Sequence, residues 1–125
     1  MVREWLRTPH VMEWWGEPDE QFGLVSGDLC EPAMDQFIVA LNERPLGYIQ
    51  SYSLTDWNVG FGNHPAQTRG IDQFIGETDM VGRGHGSSLT GQFVDDLIAR
   101  GIPRVVFLAC MALLADARRK TSVAA

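Results

Sequence analysis

The stretch Arg69–Leu89, RGIDQFIGETDMVGRGHGSSL, constrains this chain more than any other. Its first part, Gly70–Ile75, is a short apolar-rich run that predicts a buried strand. A polar connection, Gly76–Asp79, leads on to Gly82-Arg83-Gly84-His85-Gly86-Ser87-Ser88, and a helical pattern runs from there towards Arg100. Strand, glycine loop and helix in that order leave a row of unpaired backbone N–H groups at a helix N-terminus, where phosphate or pyrophosphate can be received. Glycine suits such a loop because a Cβ would hold the phosphates away from the backbone. Two common glycine-loop designs do not fit. A P-loop closes on Gly-Lys-Ser/Thr, whereas Gly86 is followed by Ser87-Ser88 with no lysine. A dinucleotide fingerprint has the spacing G-x-G-x-x-G, and Gly86 comes one residue too early for it. Read alone, the glycine pattern fits a flexible turn before a helix as well as it fits a phosphate cradle.

The flanking sequence supplies a frame for that stretch. Val2–Arg7 and Pro9–Trp15 read as two short helices broken near Thr8-Pro9, with Thr8 as N-cap and Pro9 at the first helical position. Trp5, Leu6, Val11, Trp14 and Trp15 would form one apolar face, which core packing explains as well as a ligand does. Glu17–Asp35 holds six carboxylates (Glu17, Asp19, Glu20, Asp28, Glu31 and Asp35) among Gly, Pro and Ser, and reads as loop or frayed helix. A solvated acidic face accounts for it first, and a negative rim attracting ammonium groups second. Gln36–Asn42 and Leu46–Ser53 flank Glu43-Arg44-Pro45 and should pair as an antiparallel hairpin. Asp56–Thr68 (DWNVGFGNHPAQT) reads as a long surface loop. In it His64 is given no role, and Trp57 and Phe61 a minor anchoring one. Leu89, Phe93, Val94, Leu97 and Ile98 recur at helical spacing. Arg100-Gly101 and Pro103 end that helix, and Arg104–Ala109 follows as a buried parallel strand, which makes a right-handed βαβ unit.

GIDQFIG followed by GRGHGSSL resembles the acetyl-CoA-binding core of the GNAT acetyltransferases, and more narrowly the aminoglycoside 6′-N-acetyltransferases. Further pieces agree in order and spacing: Glu4-Trp5-Leu6 with Pro9-His10-Val11 and Trp14-Trp15, then Phe37-Ile38-Val39, then Pro45–Tyr52. The resemblance covers roughly Val2–Val106. It implies an α/β (α+β) fold with a mixed, mostly antiparallel sheet flanked by helices, and acetyl-CoA as co-substrate. It also implies that the backbone at Gln73, Phe74 and Ile75 runs along the pantetheine arm. Arg83, Gly84, His85, Gly86, Ser87 and Ser88 would surround the pyrophosphate, His85 as an incidental loop residue and not a catalyst. Asp72, a carboxylate in an otherwise apolar strand, is the expected catalytic residue: burial there is costly without a partner, and the site it implies could hold an ammonium group and accept its proton. A structural aspartate bonded to a neighbouring turn is the alternative that the residues alone favour. Trp14, Trp15 and Tyr52 join Asp72 as expected acceptor-binding residues, since tryptophan beside acidic groups can stack on sugar rings or cations.

Composition sets limits on partners. A 125-residue chain is one domain, and its ordinary apolar and charged content excludes wholesale disorder. The net charge of −6 argues against a nucleic-acid partner and suits a polycationic small molecule. No apolar run is long enough to cross a membrane, and no metal or redox spacing involves Cys30 and Cys110, so a cytoplasmic protein with reduced thiols and no metal is expected.

The resemblance departs at both ends: the family's first strand is missing, and after Val106 the chain runs on as FLACMALLADARRKTSVAA. Residues 1–109 are thus read as a partial GNAT-like domain, incomplete in its sheet, and 110–125 as an unrelated tail in which Met111–Lys120 forms an amphipathic helix. Exposed sheet edges would invite a homodimer. Three functions are compatible with the residues. The first is 6′-N-acetylation of an aminoglycoside. The second is acylation of another amine, such as a siderophore precursor, and the third a non-catalytic remnant that binds CoA or oligomerises.

Overall fold

A computed structural model describes residues 1–56, 65–109 and 119–124. Within these, four helices and five strands are formed: α1 (Val2–Leu6), α2 (Pro9–Trp15), α3 (Pro18–Gly27), β1 (Met34–Leu41), β2 (Arg44–Ser53), β3 (Arg69–Ile75), α4 (His85–Ala99), β4 (Arg104–Ala109) and β5 (Arg119–Ala124). The strands make one sheet in sequence order. All neighbours are antiparallel except β3 and β4, which run parallel on either side of α4. The expected mixed, mostly antiparallel sheet flanked by helices is therefore present.

The hairpin between β1 and β2 turns on Asn42-Glu43 and not on Glu43-Arg44-Pro45. Both turn residues have positive φ, 48° and 69°, the conformation whose twist matches that of the flanking strands. The segment read as loop or frayed helix contains α3, which starts where the Glu17 carboxylate accepts the Glu20 backbone N–H at 2.8 Å and Pro18 enters the first turn. This side-chain cap escapes a search for Ser, Thr, Asp or Asn. Thr8 does precede α2, but its hydroxyl donates back to the Trp5 carbonyl and does not cap the helix. Residues 119–124 form β5, so the helix expected up to Lys120 does not include Arg119 and Lys120; positions 110–118 lie outside the described residues. So do Trp57, Phe61 and His64.

Each face of the sheet has its own core. Trp5, Leu6, Val11 and Val25 of α1–α3 pack on Tyr48 and Phe74. On the opposite face Val94 and Leu97 of α4 pack on Ile71 and Val105. Strand β2 is buried on both sides through Leu46–Ile49, as befits a central strand. By contrast β1 is an outer strand, with Phe37, Ile38 and Leu41 exposed. A pleated strand sends successive side chains to opposite faces. Asp72 and Phe74 therefore belong to the α1–α3 face, and Ile71, Gln73 and Ile75 to the α4 face.

Candidate functional site

Asp72 is held from two directions. Its register partner on β2 is Gln50, whose side-chain amide donates to Asp72 Oδ2 at 3.0 Å. Gln50 is itself fixed by the Tyr48 hydroxyl, which donates to its Oε1 at 2.8 Å. The Tyr52 hydroxyl lies against Asp72 and shares a side-chain hydrogen bond with it. Burial pushes the Tyr52 phenol well above its ordinary value of 10.0, and the Asp72 charge and hydrogen bond push it further. Tyr48 is raised likewise, first by burial and then by the charges of Asp28 and Asp72. Both phenols remain neutral donors beside the carboxylate. Tyr52 is only 2% exposed, in a space that exists because Gly70 opposes it on β3: a Cβ at Gly70 would overlap the phenol ring.

Aromatic rings wall this polar chain. Phe74 stacks on Tyr48 with centroids 5.4 Å apart and receives the edge of Trp15 at 5.0 Å. Trp15 also meets Tyr48 at 6.0 Å. Trp14 lies beside it on α2, partly buried. The structure thus gathers Trp15, Tyr52 and Asp72 on one face of the sheet, with Tyr52 beneath the surface.

The glycine segment forms a cradle at the other side of β3. Gly82 and Gly84 have φ of 77° and 80°, in the left-handed region that only glycine adopts freely, and nothing lies within 4 Å of a Cβ at either. Gly84 caps α4, and the helical ladder starts with Ser88 N–H donating to the Gly84 carbonyl at 3.0 Å. The amides of His85, Gly86 and Ser87 precede that bond and belong to the unpaired first turn of a 15-residue helix. Ser87, Ser88 and Arg83 are exposed around them. Open space over left-handed glycines at a helix N-terminus fits a diphosphate.

Between cradle and carboxylate the sheet opens. The ladder from β3 to β4 comprises Arg69↔Val105, Gly70↔Val106 and Ile71↔Phe107, whereas β3 pairs with β2 along its whole length, as far as Ile75. From Asp72 to Ile75 the β4 side of β3 therefore has no ladder partner among the described residues. His10 of α2 reaches this segment, its Nε2 2.8 Å from the Ile75 carbonyl; facing an acceptor, that nitrogen carries the proton. Gln73 turns to α4, and its amide donates to the Gly86 carbonyl at 3.0 Å and to the Thr90 hydroxyl. Sequence reasoning gave no role to Gln50, Tyr48, His10 or Thr90. No tight turn fixes the β2–β3 register that brings Gln50 opposite Asp72, so the sequence carries no signal for that pairing.

Residues 1–109 match the acetyltransferase (GNAT) domain model. The aminoglycoside N(6′)-acetyltransferases type 1 of Klebsiella pneumoniae and Serratia marcescens are 31% identical to this chain over 104 residues. These alignments cover 76% of this chain and 52% of each relative, so the chain spans about half the length of the curated relatives it matches. Among solved structures, that of the aminoglycoside acetyltransferase AAC(6′)-Ib in complex with coenzyme A superposes with a TM-score of 0.75 at 28% identity, covering 91% of this chain and 70% of the other. The complex of AAC(6′)-Ib with coenzyme A and kanamycin superposes with a TM-score of 0.70, also at 28% identity, covering 86% and 66%.

Proposed function

This chain belongs to the GNAT acetyltransferase family, and on that premise we propose that it transfers an acetyl group from acetyl-CoA to the 6′-amine of an aminoglycoside. Its relatives' substrates support this reading, and one observation of the chain itself carries it. Neighbouring residues of β3 look into two different sites: Asp72 into the aromatic, hydrogen-bonded face, and Gln73 towards the glycine cradle.

Acetyl-CoA supplies an acyl carbon activated as a thioester. The amides of His85, Gly86 and Ser87, with the Arg83, Ser87 and Ser88 side chains, hold its diphosphate against the positive end of α4. The unladdered backbone of Gln73, Phe74 and Ile75 takes the pantetheine amides as a strand would. Asp72 binds the acceptor ammonium and accepts its proton, directly or through water, which frees the nitrogen lone pair for attack on the carbonyl carbon. A C–N bond forms, the C–S bond breaks, and the nitrogen's second proton passes to the departing thiolate, which leaves as the CoA thiol. Trp14 and Trp15 border the acceptor. Tyr52, expected to bind the acceptor, is 2% exposed and hydrogen-bonded to Asp72, which supports a role in orienting that carboxylate.

The test is a thermal-shift titration with acetyl-CoA followed by turnover with kanamycin. A ligand that binds only the folded state raises the midpoint. A rise with acetyl-CoA, together with saturable acetylation at the 6′ position, supports the reading. Turnover of other amines but not of kanamycin would keep the chemistry and overturn the substrate. No rise in a cooperatively melting chain would overturn both.

A further inference from the structure

We propose that Thr90, acting with Gln73, is a positioning residue that sets the span between the diphosphate cradle and the pantetheine-binding strand; the inference rests on the cofactor half of the function proposed above. Three hydrogen bonds close a small ring. Gln73 Nε2 donates one hydrogen to the Gly86 carbonyl at 3.0 Å and the other to Thr90 Oγ1, and Thr90 Oγ1 donates its own hydrogen back to the Gly86 carbonyl at 2.9 Å. Every hydrogen in the ring has one acceptor. The amide orientation follows from chemistry, because a carbonyl can only accept and so must face Nε2.

This ring ties the centre of β3 to the first turn of α4, the turn that contributes the cradle amides. Its setting is otherwise apolar: Ile71 and Val105 of the sheet meet Val94 and Leu97 of the helix. Leucine or methionine at position 73 would fill such an interface without burying polar atoms. Instead the Gln73 Oε1 atom is buried with no partner among the described residues. A polar tie that leaves one of its own atoms unsatisfied is a poor device for stability and a good one for register, since hydrogen bonds fix geometry where apolar contacts slide. Thr90 suits the part. Its β-branched side chain is stiff in a helix, and its hydroxyl takes up the local bond to the carbonyl four residues back.

What depends on this register is a ligand with two ends. Pantetheine lies on β3 and the diphosphate on α4, and in a joined ligand the second contact is effectively intramolecular only when the spacing matches. Loosening the tie should therefore weaken CoA while leaving a ligand that uses only the cradle untouched.

The experiment is calorimetric titration of the full chain with CoA and, separately, with ADP as a probe of the cradle alone. Thr90→Val keeps the shape and removes the hydroxyl. It should weaken CoA roughly fivefold to tenfold, the effect of one lost hydrogen bond, and leave ADP binding unchanged. Thr90→Ser should restore CoA binding. Gln73→Leu, which suits the apolar interface, should melt no lower than the wild type and still bind CoA more weakly, a combination that a purely structural role would not give. It also keeps the test open should Thr90→Val not fold. Wild-type affinity for CoA in both folded variants overturns the proposal, as does equal weakening of CoA and ADP, which would place the effect in the cradle alone. Failure of the wild type to bind CoA at all overturns the functional reading beneath it, and this inference with it.

Discussion

The two faces of β3 use different parts of the chain for the same kind of task. On the α1–α3 face the business end is a side chain. Asp72 is fixed by other side chains, Gln50 and Tyr52, within a wall of aromatic rings. On the α4 face it is backbone: left-handed Gly82 and Gly84 and the free amides behind them, which side chains such as Gln73 merely brace. A proton acceptor of useful basicity needs an ionisable group at a defined place, and only a side chain offers that. An extended polyanion needs many weak donors in a row, and the backbone offers those at every residue. The lesson is that substitutions should sort by face: chemistry-changing replacements act on one, and conformation-changing replacements on the other.

The largest expected effect lies on the side-chain face. Asp72→Asn keeps the shape and removes the base of the proposed mechanism, so turnover should fall by about 10²–10⁴-fold, while the acetyl-CoA thermal shift stays as in the wild type. Loss of the shift along with turnover would break the comparison, because the carboxylate would then also be organising the cofactor side. Next is Gly84→Val on the other face. At a φ of 80° a β-branched residue is strained by about 1–3 kcal/mol. The acetyl-CoA shift should vanish, while the unliganded chain, with open space around Gly84, still melts cooperatively. A retained shift would mean that the cradle amides are not the binding groups.

A smaller effect sharpens the contrast. Gln50→Leu removes the donor to Asp72 and leaves the buried Tyr48 hydroxyl without its acceptor. An unsatisfied buried group of this kind costs about 1–3 kcal/mol, readable as a lower urea midpoint, and turnover should fall with it. The acetyl-CoA shift should be kept, since Gln50 makes no contact with the cradle; its loss would show the two faces to be coupled through β3.

How legible each face was in the sequence follows from the same distinction. The backbone face announced itself through glycine, the one residue whose presence reports on φ, and the strand–loop–helix order around it was readable from apolar spacing. The carboxylate was also visible, because an aspartate in GIDQFI breaks an apolar run. Its supports were not. Gln50, Tyr48 and Tyr52 become neighbours of Asp72 only through the β2–β3 register, and an alternating strand reads the same whether its polar face meets water or a half-buried carboxylate. α3 is legible only as loop or frayed helix because a glutamate cap and scattered glycines mimic a loop, although tertiary packing of Phe22 and Val25 holds the helix. The start of β5 within the expected tail helix reflects pairing with β4, a non-local effect that periodicity does not carry.

The smallest expected effect uses the only two tyrosines in the chain, Tyr48 and Tyr52, both on the side-chain face. Each has its folded-state pKa raised above the ordinary 10.0 by burial and by nearby carboxylates. Below pH 10 both states hold the proton and the stability is fully present. Above it the unfolded chain releases the proton while the folded chain keeps it, so stability falls with rising pH until the folded phenol also ionises. The loss is at most about 1.4 kcal/mol per pH unit for each tyrosine. Urea midpoints measured from pH 9 to pH 11 should therefore decline in the wild type and decline less in Tyr52→Phe, whatever other groups contribute equally to both. Because the α4 face has no tyrosine, the difference between the two curves reports on the Asp72 side alone. Parallel curves would mean that Tyr52 is not sealed against the carboxylate, and the side-chain face would lose the rigidity that sets it apart from the backbone face.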